Sequence, residues 1–249
     1  MARKRGVARK RNRMRPSGPR TLCVDIGGSG IKAMVLDSVG RPVSQRVRCA
    51  TPQPPKPEAV VDAICRLIHR DARFDRASVG FPGVVTNGVV YTAVNLHPAW
   101  VGFNLEKALQ RHLRRPVRAA NDADIQGYGV VKGAGVELVL TLGTGLGTAL
   151  FVNGHLVPNL ELGHHPFRKG QTYEQQVGRL ALDEIGKRRW NRRVRQMLDL
   201  LGRIINYRAV YLGGGNAKKL SGPLPANARI VSNKAGLLGG IALWRETYK

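Results

Sequence analysis

The feature that most constrains this chain is a strand that runs into clustered glycines and out again into a second strand, made twice. Residues 24–32 read VDIGGSGIK and residues 141–150 read TLGTGLGTAL. Glycine has no Cβ, so its backbone accepts positive φ and lets N–H groups approach a phosphate closely. Gly27, Gly28 and Gly30 read that way, with Asp25 at the strand end, where a carboxylate suits a magnesium ion that neutralises phosphoryl oxygens. A plain glycine hairpin explains the same residues equally well when the stretch is taken alone. A third strand, 209–212, runs into Gly213, Gly214 and Gly215. None of the three turns fits a Walker loop, and Gly143, Gly145 and Gly147 follow G-x-G-x-G rather than the dinucleotide fingerprint.

Along the chain, strands are expected at 21–26, 31–37 and 43–49, the last following the Gly40-Arg41-Pro42 turn. Val61, Ile64, Cys65 and Ile68 fall at helical spacing and predict an amphipathic helix over 58–70. A short buried strand over 77–81 stops at Pro82-Gly83, and Asn87-Gly88 marks a hairpin. A helix over 105–113 precedes a strand, 117–120, that delivers Asn121, Asp122, Ala123 and Asp124 at its carboxyl end. The second block then repeats the order of the first, with strands at 137–142 and 148–152 around the turn 143–147. The repetition implies two related α/β lobes facing a cleft. Helices are expected over 173–187, over a long stretch reaching Ile205, and over 235–246.

The length of 249 residues is enough to bury a substantial core. No apolar run is long enough for a bilayer span, and the N-terminus lacks a signal-peptide core, so a cytoplasmic protein is the expectation. Cys23, Cys49 and Cys65 have no metal-ligand spacing and read as reduced core residues. The net charge is +25; nine basic residues and no acid lie in residues 1–20, which leaves +16 on residues 21–249. Residues 1–20 read as a disordered basic arm. A field of this sign favours polyanions, with nucleic acid, anionic lipid and inorganic polyphosphate all candidates, and surface adaptation for solubility the alternative.

The motifs DIGGSGIK, FPGVV at 81–85, NDAD at 121–124, TLGTGLGTAL, ELGHH at 161–165 and LGGG at 212–215 occur in the order found in the ROK family of sugar kinases. From residue 21 onward the chain resembles that family. Within it, VPNLELGHH, RRWNRRV and NKAGLLGG are most similar to the polyphosphate glucokinases, including forms that accept ATP and mannose. The resemblance implies an α/β, actin-like ATPase fold of two ribonuclease-H-like lobes. Residues 21–120 would form the first and 121–234 the second, with the final helix, 235–249, packing back on the first.

By position, the resemblance implies that Asp122 is the catalytic base that takes the proton of a sugar 6-hydroxyl, with Asp124 the weaker alternative. It places Asn95, Asn121, Glu161, His164 and Glu174 at the sugar. Either histidine could be a structural residue, and His164 ranks above His165 because the resemblance matches it to a ligand-contacting position. Gly27, Gly28, Ser29, Gly30, Lys32, Thr144, Gly145 and Gly214 would line the phosphoryl donor, with Asp25 near Mg2+. Zinc is not expected, because residues 166–174, PFRKGQTYE, lack the cysteine cluster found in many members. The basic run from Lys187 to Arg195 is either a solvated helix face or a track for polyphosphate.

The function implied is phosphorylation of glucose at its 6-hydroxyl by inorganic polyphosphate, with ATP as a further donor and a homodimer as the assembly. The rivals are an ATP-only glucokinase or mannokinase, a ROK-type sugar-sensing regulator, and a non-catalytic polyanion binder. Nucleic acid is disfavoured because 20 residues cannot fold the winged-helix domain that precedes the DIGG motif in the regulators.

Overall fold

The computed structural model describes residues 18–68, 72–94, 96–232 and 235–245. Asn95, residues 1–17 of the basic arm, residues 69–70 of the first expected helix and residues 246–249 lie outside the described residues.

The first sheet is built from β1 (Thr21–Ile26), β2 (Ile31–Leu36), β3 (Val47–Cys49), β4 (Arg76–Phe81) and β7 (Val117–Asn121) in the order β3-β2-β1-β4-β7. Its hairpin strands run antiparallel, and β4 and β7 run parallel to β1. Between them come α1 (Pro57–Leu67), the small hairpin β5 (Val85–Thr86) and β6 (Val89–Val90), and α2 (Leu105–Leu113). After α3 (Asp122–Tyr128), β8 (Val136–Leu142), β9 (Leu146–Val152) and β10 (His155–Val157) start a second sheet, which β13 (Ala209–Gly213) and β14 (Ala228–Ile230) complete. Its order is β10-β9-β8-β13-β14, again with an antiparallel hairpin half and a parallel half. The two sheets therefore share one topology, as the repeated glycine turns predict.

The remaining elements are the hairpin β11 (Pro166–Arg168) and β12 (Gln171–Thr172), α4 (Tyr173–Val177), α5 (Arg179–Ile205) and α6 (Ala235–Ala242). One core holds Leu22, Val24, Ile26, Phe81 and Trp100; a second holds Leu138, Leu140, Trp190, Met197 and Leu212. α6 lies on the first sheet. Cys23 and Leu36 pack on Ile241, Ser78 Oγ donates to the Gly240 carbonyl at 2.5 Å, and Trp244 Nε1 donates to Ser78 Oγ at 2.8 Å. The guanidinium groups of Arg76 and Arg118 flank the Trp244 ring at 4.9 and 4.7 Å.

Several boundaries differ from expectation for local reasons. The third strand starts at Val47 rather than residue 43: Pro42 makes only an isolated bridge to Leu36, the N–H groups of Val43 and Ser44 converge on the Val35 carbonyl, and Val35 N–H donates to Ser44 Oγ instead of to a ladder partner. The second strand stops at Leu36, since Asp37 accepts from the N–H groups of Val39 and Arg41 and closes a turn. The expected helices 173–187 and 190–205 divide elsewhere: α4 ends at Val177, and α5 runs through 27 residues with a break at Gly186, whose φ is +73°. The Asn87-Gly88 and Asn153-Gly154 pairs do turn hairpins, each with positive φ at both residues. Among the described residues no helix is long and apolar enough to cross a membrane.

Candidate active site

The parallel half of the first sheet carries β7 into Asn121, and there the chain turns into α3, where the sequence predicts only the end of a strand. Asn121 caps it: Oδ1 accepts from the N–H of Ala123 at 2.8 Å and of Asp124 at 3.4 Å. That fixes which way the amide faces, so Nδ2 donates to the Gly83 carbonyl at 3.2 Å and to Glu161 Oε1 at 3.4 Å. Asp122, the first residue of α3, projects where the two sheets face each other, between Gly80 of β4 and Gly147 of β9.

Two chambers meet at this residue. The inner one, about 140 Å³, is lined by Gly83, Asn121, Asp122, Gly145, Glu161, His164 and Glu174. The outer one, about 500 Å³, is lined by all three glycine turns together with Asp25, Lys32, Asp122, Arg46, Arg48 and Arg179. Gly27, Gly28, Asp122, Thr141, Gly143 and Thr144 belong to both walls. A larger open concavity of about 860 Å³, with Tyr211 and Arg229 among its lining, contains none of these residues.

The inner chamber is a set of polyol-compatible groups held from outside. His164 Nε2 lies 3.6 Å from Glu161 Oε2. Glu174 lies within the Thr172–Gln175 capping box of α4, and its Oε2 accepts from Leu146 N–H at 3.1 Å. His165 stands apart: its ring stacks on Tyr173 at 5.8 Å and its Nδ1 sits 2.8 Å from the Pro166 carbonyl oxygen. Gly145, read from sequence as a donor contact, borders the inner chamber, where a Cβ would overlap Glu174 Oε2.

In the outer chamber the first glycine turn has a different backbone conformation from the one expected. None of Gly27, Gly28 and Gly30 has positive φ; of the glycines assigned to the donor, only Gly214 does, at +85°. Close approach is the reason at Gly30, where a Cβ would sit 2.9 Å from Arg48 Nε. The turns are tied together: Gly27 N–H donates to Gly30 O at 3.1 Å, Thr51 Oγ1 donates to Gly27 O at 2.5 Å, and Asn216 Nδ2 donates to Gly143 O at 2.8 Å. Among the described hydrogen bonds, the N–H groups of Gly28 and Ser29 donate to nothing in the chain. Lys32 Nζ donates to Asp25 Oδ2 at 2.6 Å. The sequence reading missed Arg46, Arg48 and Arg179; the alternation Arg46-Val47-Arg48 was the available signal for the first two.

Carboxylates are crowded where the chambers meet. Burial, followed by the charges of Asp25 and Glu161, pushes the Asp122 carboxyl up to about 7, although a backbone hydrogen bond and Lys32 oppose the rise. Burial and then Asp122 and Glu161 push Asp124 up to about 8. Glu161 is raised as well, by burial first. This excess of negative charge, with Lys32 as the nearby cation, is what a divalent ion would relieve. Among the described residues no group of three or more His, Cys, Asp or Glu side chains is arranged to hold a metal, so any ion here would rely on one or two carboxylates plus the substrate.

The model of the ROK family matches residues 21–173. The chain belongs to the ROK family. Among curated ROK relatives, it is 34% identical over 233 residues to the polyphosphate glucokinase of Mycobacterium leprae, covering 87% of this chain and 72% of that one. It is 32% identical to the polyphosphate glucokinase of Mycobacterium tuberculosis, covering 87% and 88%. Among solved structures, the inorganic polyphosphate/ATP-glucomannokinase of Arthrobacter sp. strain KM superposes with a TM-score of 0.82 at 31% identity, over 91% of this chain and all of that one. The actin-like ROK fold and the kinase class expected from the motifs are thereby established.

Proposed function

We propose that this ROK enzyme transfers the terminal phosphoryl group of inorganic polyphosphate, and of ATP as a second donor, to the 6-hydroxyl of glucose. The observation that carries the reading is the junction of a small polar chamber and a larger basic, glycine-walled one at a single carboxylate, Asp122. Asn121, Glu161, His164 and Glu174 would hold the sugar hydroxyls, since amides and carboxylates match groups that both donate and accept. In the transfer, the 6-oxygen forms a bond to the terminal phosphorus while the bridging P–O bond breaks. Asp122 accepts the hydroxyl proton, and the polyphosphate leaves one unit shorter. The open N–H groups of Gly28 and Ser29, with Lys32, would grip the donor. Asp25 would hold Mg2+, which when bound offsets phosphoryl charge. The names of the two Mycobacterium relatives, and the absence of an aromatic side chain from the outer chamber among the described residues, both favour polyphosphate as the first donor.

The test is nucleotide-free protein given glucose and long-chain polyphosphate with Mg2+. Glucose 6-phosphate should form at the rate polyphosphate is consumed. Turnover that appears only after ATP is added would instead support an ATP-dependent glucokinase. The same assay predicts a pH dependence: a base must be ionised, and Asp122 in the free protein sits at about 7. kcat/KM for glucose should therefore fall as pH drops through about 7, and Glu161→Gln should move that limb to lower pH while weakening glucose binding. A limb that Glu161→Gln leaves in place would contradict the assignment.

A further inference from the structure

β3 is the outer edge of the first sheet, and its register sets Arg48 directly across from Lys32. Like charges placed opposite one another on a sheet repel. Lys32 is offset by Asp25, but among the described residues neither Arg46 nor Arg48 has a carboxylate within ion-pair distance. Arg179, the third arginine of the chamber, is already engaged by Asp183 at 2.6 Å. Val47, between the two unpaired arginines, packs on the first core, so 46 and 48 share the opposite side, and both line the outer chamber. The guanidinium of Arg48 occupies the space left by the absent side chain of Gly30 and so lies against the glycine turn. Arg46, the residue just before β3, lines the same chamber two positions upstream of Arg48. The folded chain gains nothing from this row of cations by itself.

From this arrangement we infer that Arg46 and Arg48 form a rail for the distal phosphates of a linear inorganic polyphosphate. The inference rests on the donor reading of the outer chamber and adds the residues that set its preference. A linear ligand with a charge on every unit meets both guanidinium groups and leaves past an open sheet edge at any length. A nucleoside triphosphate runs out of phosphates and presents a sugar and a base, for which the chamber's apolar side chains among the described residues are only Val24 and Ile125. Guanidinium pairs with phosphate oxygens through two N–H groups, and charge-assisted bonds of that kind are the strong ones.

The experiment compares the parent with the Arg46→Ala/Arg48→Ala and Arg46→Lys/Arg48→Lys proteins, using long-chain polyphosphate, tripolyphosphate and ATP as donors. The alanine pair should lower kcat/KM for long-chain polyphosphate by about tenfold or more per arginine, lower that for ATP by a clearly smaller factor, and abolish the advantage of long chains over tripolyphosphate. Its log–log dependence of polyphosphate binding on salt should flatten by about one for each charge removed. The lysine pair should recover part of the loss, and the thermal midpoint of the alanine pair should not fall. An equal loss with ATP, or unchanged direct binding of long-chain polyphosphate, overturns the rail. Parent protein that makes no glucose 6-phosphate from polyphosphate overturns the donor reading itself, a result distinct from a working parent whose variants behave identically.

Discussion

Asp122→Asn yields a folded protein whose kcat for glucose phosphorylation is lower on the order of 10²- to 10⁴-fold with either donor, the range usual for loss of a general base. The amide keeps the shape of the side chain and the first position of α3, so KM for glucose should change little. The sign of the stability change separates this from simple damage. In the folded protein Asp122 takes a proton at about 7, because burial and the charge of Asp25 disfavour its ionised form. An unfolded carboxyl ionises near pH 4. The cost of holding the charged group is therefore absent below about pH 4 and fully present above about pH 7. The asparagine protein should melt higher than the parent at pH 8, with the gap closing as pH falls towards 4. A variant that keeps parental turnover removes Asp122 from the chemistry.

The second large effect is expected at a residue that lines neither chamber. Gly239→Ala puts a methyl group onto the carbonyl oxygen of Ile125, where α6 crosses α3, and backbone cannot step aside as a flexible side chain can. Overpacking against a fixed partner costs about 3 kcal/mol or more at the upper end of its range. For a chain of this size that is a fall of roughly 6–12 °C in thermal midpoint. Activity should drop at temperatures where the protein is still folded, because α3 also carries Asp122. Gly215→Ala, with no heavy atom within 4 Å of its added Cβ, serves as the stability control and should melt with the parent.

Strong local signals in this sequence translated directly into structure. The alternation and glycines of residues 21–36 announce β1 and β2, and Asn87-Gly88 and Asn153-Gly154 are turn chemistry with a backbone requirement that the structure meets. The duplicated strand order is legible because each copy marks its turn with glycine. α3 was hidden because seven residues containing Gly127 offer no apolar period. The signal was instead Asn121 as a cap with aspartates at the first and third helical positions. The job of Gly30 was also invisible, since a sequence does not say that an arginine 18 positions later will lie over it. Placing Asn121 beside Glu161, or Arg48 beside Lys32, needs strand register, and register depends on contacts made only when both partners are in place.

The way α6 closes over the first sheet also bears on how the chain reaches its native state. Ser78 finds its acceptor, the Gly240 carbonyl, across a separation of 162 residues, and Trp244 reaches the same serine across 166. Contacts so distant in sequence raise contact order and slow folding. Until they form, Cys23 and Leu36 lack their Ile241 partner, so a partly synthesised chain exposes a sticky surface that invites chaperones or aggregation. Refolding from denaturant should accordingly show a slow phase that depends on α6, with Trp244 fluorescence as its reporter.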